Sequence, residues 1–259
     1  MPRLEYIIFF SLVCVLVILI LRRTYENFTT ASVGINQLDA IIYINLENRQ
    51  DRKELFIKEL EKLKTDMSKV HKVSGVYIPK NGHKGCVQSH ILALNMIKLN
   101  KWQRVLILED DAELTLEPAL VNKLINKSLS MLDKDFPDWN VLMLATANKI
   151  NNVKNVYKSE NLTDDGKNPV YLERISRATT SSAYIVNNNY VDKILELFKT
   201  CNDNMAHLKL SGGNKHEFWA LDQQWIKLQE RDKWFALTPD PIIQREIWST
   251  ILYESHNQT

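Results

Sequence analysis

The sequence predicts an α/β protein with a mostly parallel sheet flanked by helices, and three observations carry that prediction. Ala40–Leu46, Val105–Leu108 and Val141–Leu144 are near-continuous apolar runs of strand length, as expected of strands buried on both faces. Between them lie segments with apolar residues at helical spacing, the alternation that builds βαβ units. With only seven Gly and seven Pro in 259 residues, the chain favours continuous elements over a loop-rich scaffold.

At the N-terminus, Tyr6–Leu21 is almost wholly apolar and is closed by Arg22 and Arg23. This length is at the short end of what spans a bilayer, and no small-residue cleavage site follows it at once, so residues 1–23 are expected to be an uncleaved signal anchor. Residues 24–38, rich in Thr, Asn and Ser, are expected to form a stem before a domain at residues 39–254. Arg22 and Arg23 outnumber Arg3, which taken alone keeps the body in the cytosol. Asn27, Asn126, Asn161 and Asn257 head glycosylation triplets, which favour a lumenal body in the endoplasmic reticulum or Golgi.

The domain opens with the strand Ala40–Leu46, the charged turn Glu47-Asn48-Arg49-Gln50-Asp51-Arg52, and a helix that places Phe56, Leu60 and Leu63 on one face. Arg49 and Arg52 fall where free helix N–H groups already attract anions. Their partner is either a phosphate or a surface carboxylate, Glu47 or Asp51. Lys69–Val76 is expected to be the second strand. Gly82–His90 then leads into a helix with Leu92, Met96 and Leu99 on one face. This stretch holds neither GxxxxGK(S/T) nor GxGxxG, and His83 and His90 lack the spacing of two zinc ligands on a helix. His90 is then either a structural hydrogen-bonder or a catalytic group.

Arg104–Leu114 is the centre of the chain. A buried strand runs into Glu109, Asp110 and Asp111, and in an open α/β sheet ligands bind beyond the strands' carboxyl ends. Carboxylates this close repel one another, which a divalent cation relieves. Hard oxygen ligands suit magnesium or manganese. The alternative is a solvated strand end.

Glu117–Leu132 is expected to be a helix and Trp139–Thr146 a strand, followed by a polar loop over Asn148–Asn168. Short strands at Val170–Ile175 and Ala183–Val186 and a helix through Ile194, Leu197 and Phe198 then form a second half, expected to be appended to the first and to build an acceptor side. The net charge of +2, with both signs interspersed, gives no reason to expect nucleic acid as a partner. Cys14 falls in the apolar segment, and Cys86 and Cys201 make neither a disulfide framework nor a CxxC zinc site.

Ile44–Arg52, Gly85–His90 and Ile107–Asp111, in that order, resemble the glycosyltransferase family 25 domain. Thr180–Val186, Leu221–Gln224, Pro241–Gln244 and Ser249–Ile251 are similar to its later segments, so the resemblance covers about residues 40–252. It implies a GT-A-type fold and a metal-assisted UDP-sugar donor, with inverting transfer of galactose or glucose to a glycan, lipid-linked glycan or protein. On this resemblance Asn45, Leu46, Arg49, Arg52, Ser89 and His90 would bind the donor, and Mn2+ or Mg2+ would lie on Asp111, Asp110 and Glu109. Asp222 would be the base, because the family places an Asp there and because the apolar Phe218–Leu221 setting raises a carboxyl's pKa. The competing role for Asp222 is a helix cap before Gln223. Trp219, Trp225 and Trp248 either stack on a sugar or pack the core. A different class of reading is a catalytically silent relative that binds a glycan or protein partner.

Overall fold

The computed structural model describes residues 13–19, 34–151, 170–207 and 214–245. Residues 13–19 are helical, and no helix among the described residues is long and apolar enough to cross a membrane. The rest of the apolar Tyr6–Leu21 segment, most of the stem and Trp248 lie outside the described residues. A short 3-10 turn at Gly34–Gln37 opens the packed body and buries Ile35 and Leu38, which lie in the stretch read as stem.

In chain order the body continues with β1 (Ala40–Asn45), α1 (Gln50–Lys62), β2 (Val70–Ser74), α2 (Gly82–Asn100), β3 (Arg104–Glu109), β4 (Ala112–Leu114), α3 (Pro118–Asp135) and β5 (Val141–Met143). The second half comprises β6 (Ala147–Asn151), β7 (Tyr171–Thr179), β8 (Ala183–Asn187), α4 (Asn188–His207), the short helices α5 (Asn214–Phe218), α6 (Leu221–Gln224) and α7 (Ile226–Gln229), β9 (Trp234–Thr238) and β10 (Ile242–Gln244). The polar stretch after Thr146 was expected to be all loop, but it begins as strand β6. Its remainder, residues 152–169, lies outside the described residues.

One eight-stranded sheet runs in the order β2-β1-β3-β8-β5-β9-β7-β6, and β10 pairs separately with β4. Six of the eight strands point one way, while β7 and β8 run against their neighbours. The architecture is therefore mixed α/β with a mostly parallel sheet. The expectation of an appended second half is corrected: β8 is inserted between β3 and β5, at the middle of the sheet. Its run Ala183-Tyr184-Ile185-Val186 is buried throughout, the pattern of a central strand covered on both faces.

Alternation along the strands divides the core. Ile42, Ile44, Val105, Ile107, Tyr184 and Val186 face α2 and α4 on one side, where Phe198, Trp225 and Trp234 complete the packing. Ile41, Tyr43, Leu106, Leu108 and Ile185 face α1 and α3 on the other, with Phe56, Leu129 and Trp139. Trp225 is fully buried and donates its indole N–H to the Ala178 carbonyl at 2.9 Å, so it is a core residue and not a sugar platform.

Candidate active site

The parallel register of β1 and β3 aligns Ile44 with Glu109, so Asn45 and the acidic triplet leave the sheet side by side at its carboxyl edge. Asn45 is 1% exposed; its Nδ2 donates to Asp110 Oδ2 at 2.7 Å and to the Arg49 carbonyl at 3.0 Å. Its Oδ1 is buried without a hydrogen-bond partner, and the residue lines the central pocket. Arg52, in the first turn of α1, donates Nη1 to Asp110 Oδ1 at 2.9 Å and stands 3.6 Å from Asp111 Oδ2. It is thus a built-in counter-ion between the two aspartates.

Arg49 behaves differently from Arg52. It forks onto Asp51 at 3.0 and 2.9 Å, holding that carboxyl down at about 2, and it does not line the pocket. Arg49 thus forms the pair with Asp51, and Arg52 is the arginine that lines the pocket.

Helix α2 begins at Gly82 itself, because Asn81 caps it by accepting the Lys84 N–H at 3.1 Å. Cys86, Ser89 and His90 are consequently helical. Ser89 donates to the Gly85 carbonyl at 2.7 Å and accepts the Val76 N–H at 2.8 Å, so it ties the Gly75–Ile78 wall of the pocket to the helix. Gly85 permits that approach, since a Cβ there would stand 2.3 Å from the Val76 carbonyl oxygen. His90 is fully buried, with Nδ1 2.9 Å from the Tyr184 hydroxyl and Nε2 3.3 Å from Glu109 Oε1. These contacts fit a ring that donates from Nε2 and accepts from Tyr184.

The three acidic side chains have separate partners. Glu109 accepts from His90 and from the Ser181 hydroxyl. Burial is the largest single influence and acts to raise its carboxyl, but His90, the Ser181 hydroxyl and the Arg52 charge together hold it below its ordinary value. Asp110 is raised by burial, against the pull of Asn45 and Arg52. Asp111 receives the Gln244 amide at 3.2 Å and the Ser182 hydroxyl at 3.4 Å. Burial, reinforced by the charge of Glu109, pushes Asp111 up to about 7.

Asp222 lies in the first turn of α6, whose cap position is Ala220, so it is not the helix cap. Its Oδ2 accepts the Thr180 N–H at 3.0 Å, and burial raises it, with Glu109 adding to the effect. Thr180 adopts φ 71°, a conformation strained for a β-branched residue and the kind that clusters at functional sites. The turn Thr180–Ser182 therefore fastens Asp222, Glu109 and Asp111 to one piece of backbone.

Asn45, Leu46, Arg52, Ser89, His90, Glu109, Asp110 and Asp111 together line one solvent-open pocket. Gln244 lines it as well and also borders a second cleft, with Thr146, Thr180 and Arg245. Sequence reasoning missed Cys86, Tyr184 and Gln244 as site residues. Cys86 and His90 are four apart, a signal open to a reader who pairs Cys with His and not only His with His. His216 is half-buried on α5, away from the pocket lining, and His256 lies outside the described residues.

The sequence profile of glycosyltransferase family 25, described as LPS biosynthesis proteins, matches residues 80–209. No curated protein matches the chain. Among solved structures, the chain is similar to a glycosyltransferase involved in glycosylation of the major capsid of PBCV-1, at 11% identity and a TM-score of 0.44, over 85% of this chain and 98% of that one. It is similar to A197 from STIV at 11% identity and a TM-score of 0.41, over 82% and 96% of the two chains. The glycosyltransferase GlyE of Streptococcus pneumoniae TIGR4 matches at 9% identity and a TM-score of 0.40, over 86% of this chain and 57% of that one.

Proposed function

The chain belongs to glycosyltransferase family 25, and on that premise we propose that it is a GT-A-type, metal-dependent, inverting hexosyltransferase. It moves galactose or glucose from a UDP-sugar to a hydroxyl of a glycan, lipid-linked glycan or protein. The observation that carries this reading is the convergence of Asn45, Arg52 and the acidic triplet on one pocket, with Asp222 fastened to the same turn.

Asp110 and Asp111 are a buried hard-oxygen pair suited to Mn2+ or Mg2+, with Glu109 adding to the negative field. Such an ion would supply positive charge for a diphosphate leaving group. Arg52 adds a second, fixed positive charge beside that group, and the buried Asn45 Oδ1 offers an acceptor to a donor-substrate hydroxyl or amide. Asp222, kept basic by its raised pKa, takes the proton of the acceptor hydroxyl as its oxygen bonds to the anomeric carbon and the bond to UDP breaks on the opposite face. Gln244 stands between the donor pocket and the second cleft, which is the natural place for the acceptor. The apolar N-terminus and the glycosylation triplets support a single-pass protein with its catalytic body in the endoplasmic reticulum or Golgi lumen.

The test is turnover of a UDP-sugar panel by the full chain, with manganese or with chelator, beside Asp111→Ala. Metal-dependent use of one donor, lost in the variant, is expected. Nucleotide-sugar binding and turnover that are unchanged by chelator and by the substitution would overturn the metal-dependent mechanism.

A further inference from the structure

We propose that Cys86, His90 and Glu109 form a binding site for a thiophilic divalent cation, of which zinc is the biological representative, separate from the pair Asp110 and Asp111. Cys86 and His90 stand one turn apart on the same face of α2, and Glu109 ends β3 opposite them. One ligand atom from each, a sulfur, a nitrogen and an oxygen, lies within 4.8 Å of the others. A tetrahedral zinc with bonds of about 2.0–2.3 Å holds its ligand atoms roughly 3.3–3.8 Å apart. His90 Nε2 and Glu109 Oε1 are already 3.3 Å apart, and the Cys86 sulfur lies within 4.8 Å of the other two ligands.

The surroundings are those of a supported metal site. The Tyr184 hydroxyl, 2.9 Å from His90 Nδ1, orients the ring, and the Ser181 hydroxyl holds Glu109. When the ion binds Nε2, the ring proton resides on Nδ1 and is donated to Tyr184. The Cys86 thiol releases its proton to solvent, and thiolate plus carboxylate then balance the dication. All three residues line the pocket, so the fourth coordination position opens into it. Sulfur and imidazole select zinc or cobalt over magnesium and manganese, which the all-oxygen aspartate pair prefers. The site stands whether or not the protein transfers a sugar.

The experiment titrates cobalt(II), a spectroscopic stand-in for zinc, into the full chain after chelator treatment and its removal. The expected result is a thiolate-to-cobalt charge-transfer band that saturates at one ion per chain, is bleached by zinc, and is untouched by an equal concentration of manganese. Cys86→Ser abolishes the band, while Cys14→Ser and Cys201→Ala keep it, in chains shown to be folded by circular dichroism. Glu109→Gln, which retains the sulfur and nitrogen, weakens cobalt binding about tenfold or more. Absence of the band, its survival in Cys86→Ser, or bleaching by manganese as readily as by zinc overturns the proposal.

Discussion

Asp111 holds its carboxyl at about 7 where the ordinary value is 3.8, so between those values the folded chain binds more protons than the unfolded one. Stability of the metal-free protein therefore falls as pH rises through that window, by about 1.4 kcal/mol per unit for a fully engaged group, and is lowest above it. Asp110 and Asp222, also raised, act in the same direction. The lowered carboxyls Glu109 and Asp51 act oppositely, but only at more acid pH. Chelated protein is expected to melt lower at about pH 8 than at about pH 5.5, with manganese narrowing the gap, and Asp111→Asn is expected to raise the melting point at about pH 8 without metal. Melting curves that rise from acid to neutral pH would contradict this. At Asp222 the expected effect is kinetic: Asp222→Asn lowers kcat about 100- to 10,000-fold while donor KM stays near its original value. A donor KM that rises in step with the fall in kcat would mean that Asp222 binds and does not deprotonate. Residue chemistry was largely legible in the sequence, since the triplet, Asn45 and Arg52 do meet; the division of partners was not. Nothing in Glu109-Asp110-Asp111 says that the first turns to His90 and Ser181 while the other two share Arg52.

At the scale of elements, α2 shapes the pocket through its first turn. Gly85 packs against the Val76 carbonyl, and Ser89 bonds the same loop, so the wall Gly75–Ile78 is set by two residues that need not touch a ligand. Gly85→Ala is expected to push that wall inward, with a stability loss of about 1–3 kcal/mol. It should also weaken nucleotide-sugar binding measured by calorimetry, a larger effect than Asn81→Ala, which removes only a helix cap at about 1 kcal/mol. Equal effects of the two on binding would show that the wall's position does not matter. The helix was readable here from apolar spacing, but the face read from Leu92, Met96 and Leu99 is corrected: Leu92 and Leu99 are exposed, and Val87, Ala93, Leu94 and Ile97 pack inward. The start of α2 was not readable, because Gly82-His83-Lys84-Gly85 carries poor helix formers and the Asn81 cap decides the boundary.

At the scale of the molecule, the insertion of β8 between β3 and β5 makes one continuous sheet from residues far apart in sequence. Local pattern could identify β8 as a buried strand but carries no information on its neighbours, which is why the sequence suggested an appended half. A single sheet with a core on each face predicts one cooperative transition, in which the tryptophans of both faces, Trp139 and Trp225, lose their environment together. Leu106→Ala, in β3 beside β8, is expected to cost about 2–5 kcal/mol and to shift that whole transition. Two separate transitions in denaturant would show that the halves fold independently. The pairing of β10 with β4 and the bond from Gln244 to Asp111 also bear on synthesis. The acidic triplet leaves the ribosome well before Ser181, Ser182 and Gln244, so the growing chain carries crowded carboxylates without several of their partners until β10 emerges. A nonsense codon at Gln244 would spare every carboxylate of the centre and still leave Asp111 without its amide and Ala112 without its β10 partner, so the codons around β10 are as exposed to truncating mutation as those of the triplet are to missense change.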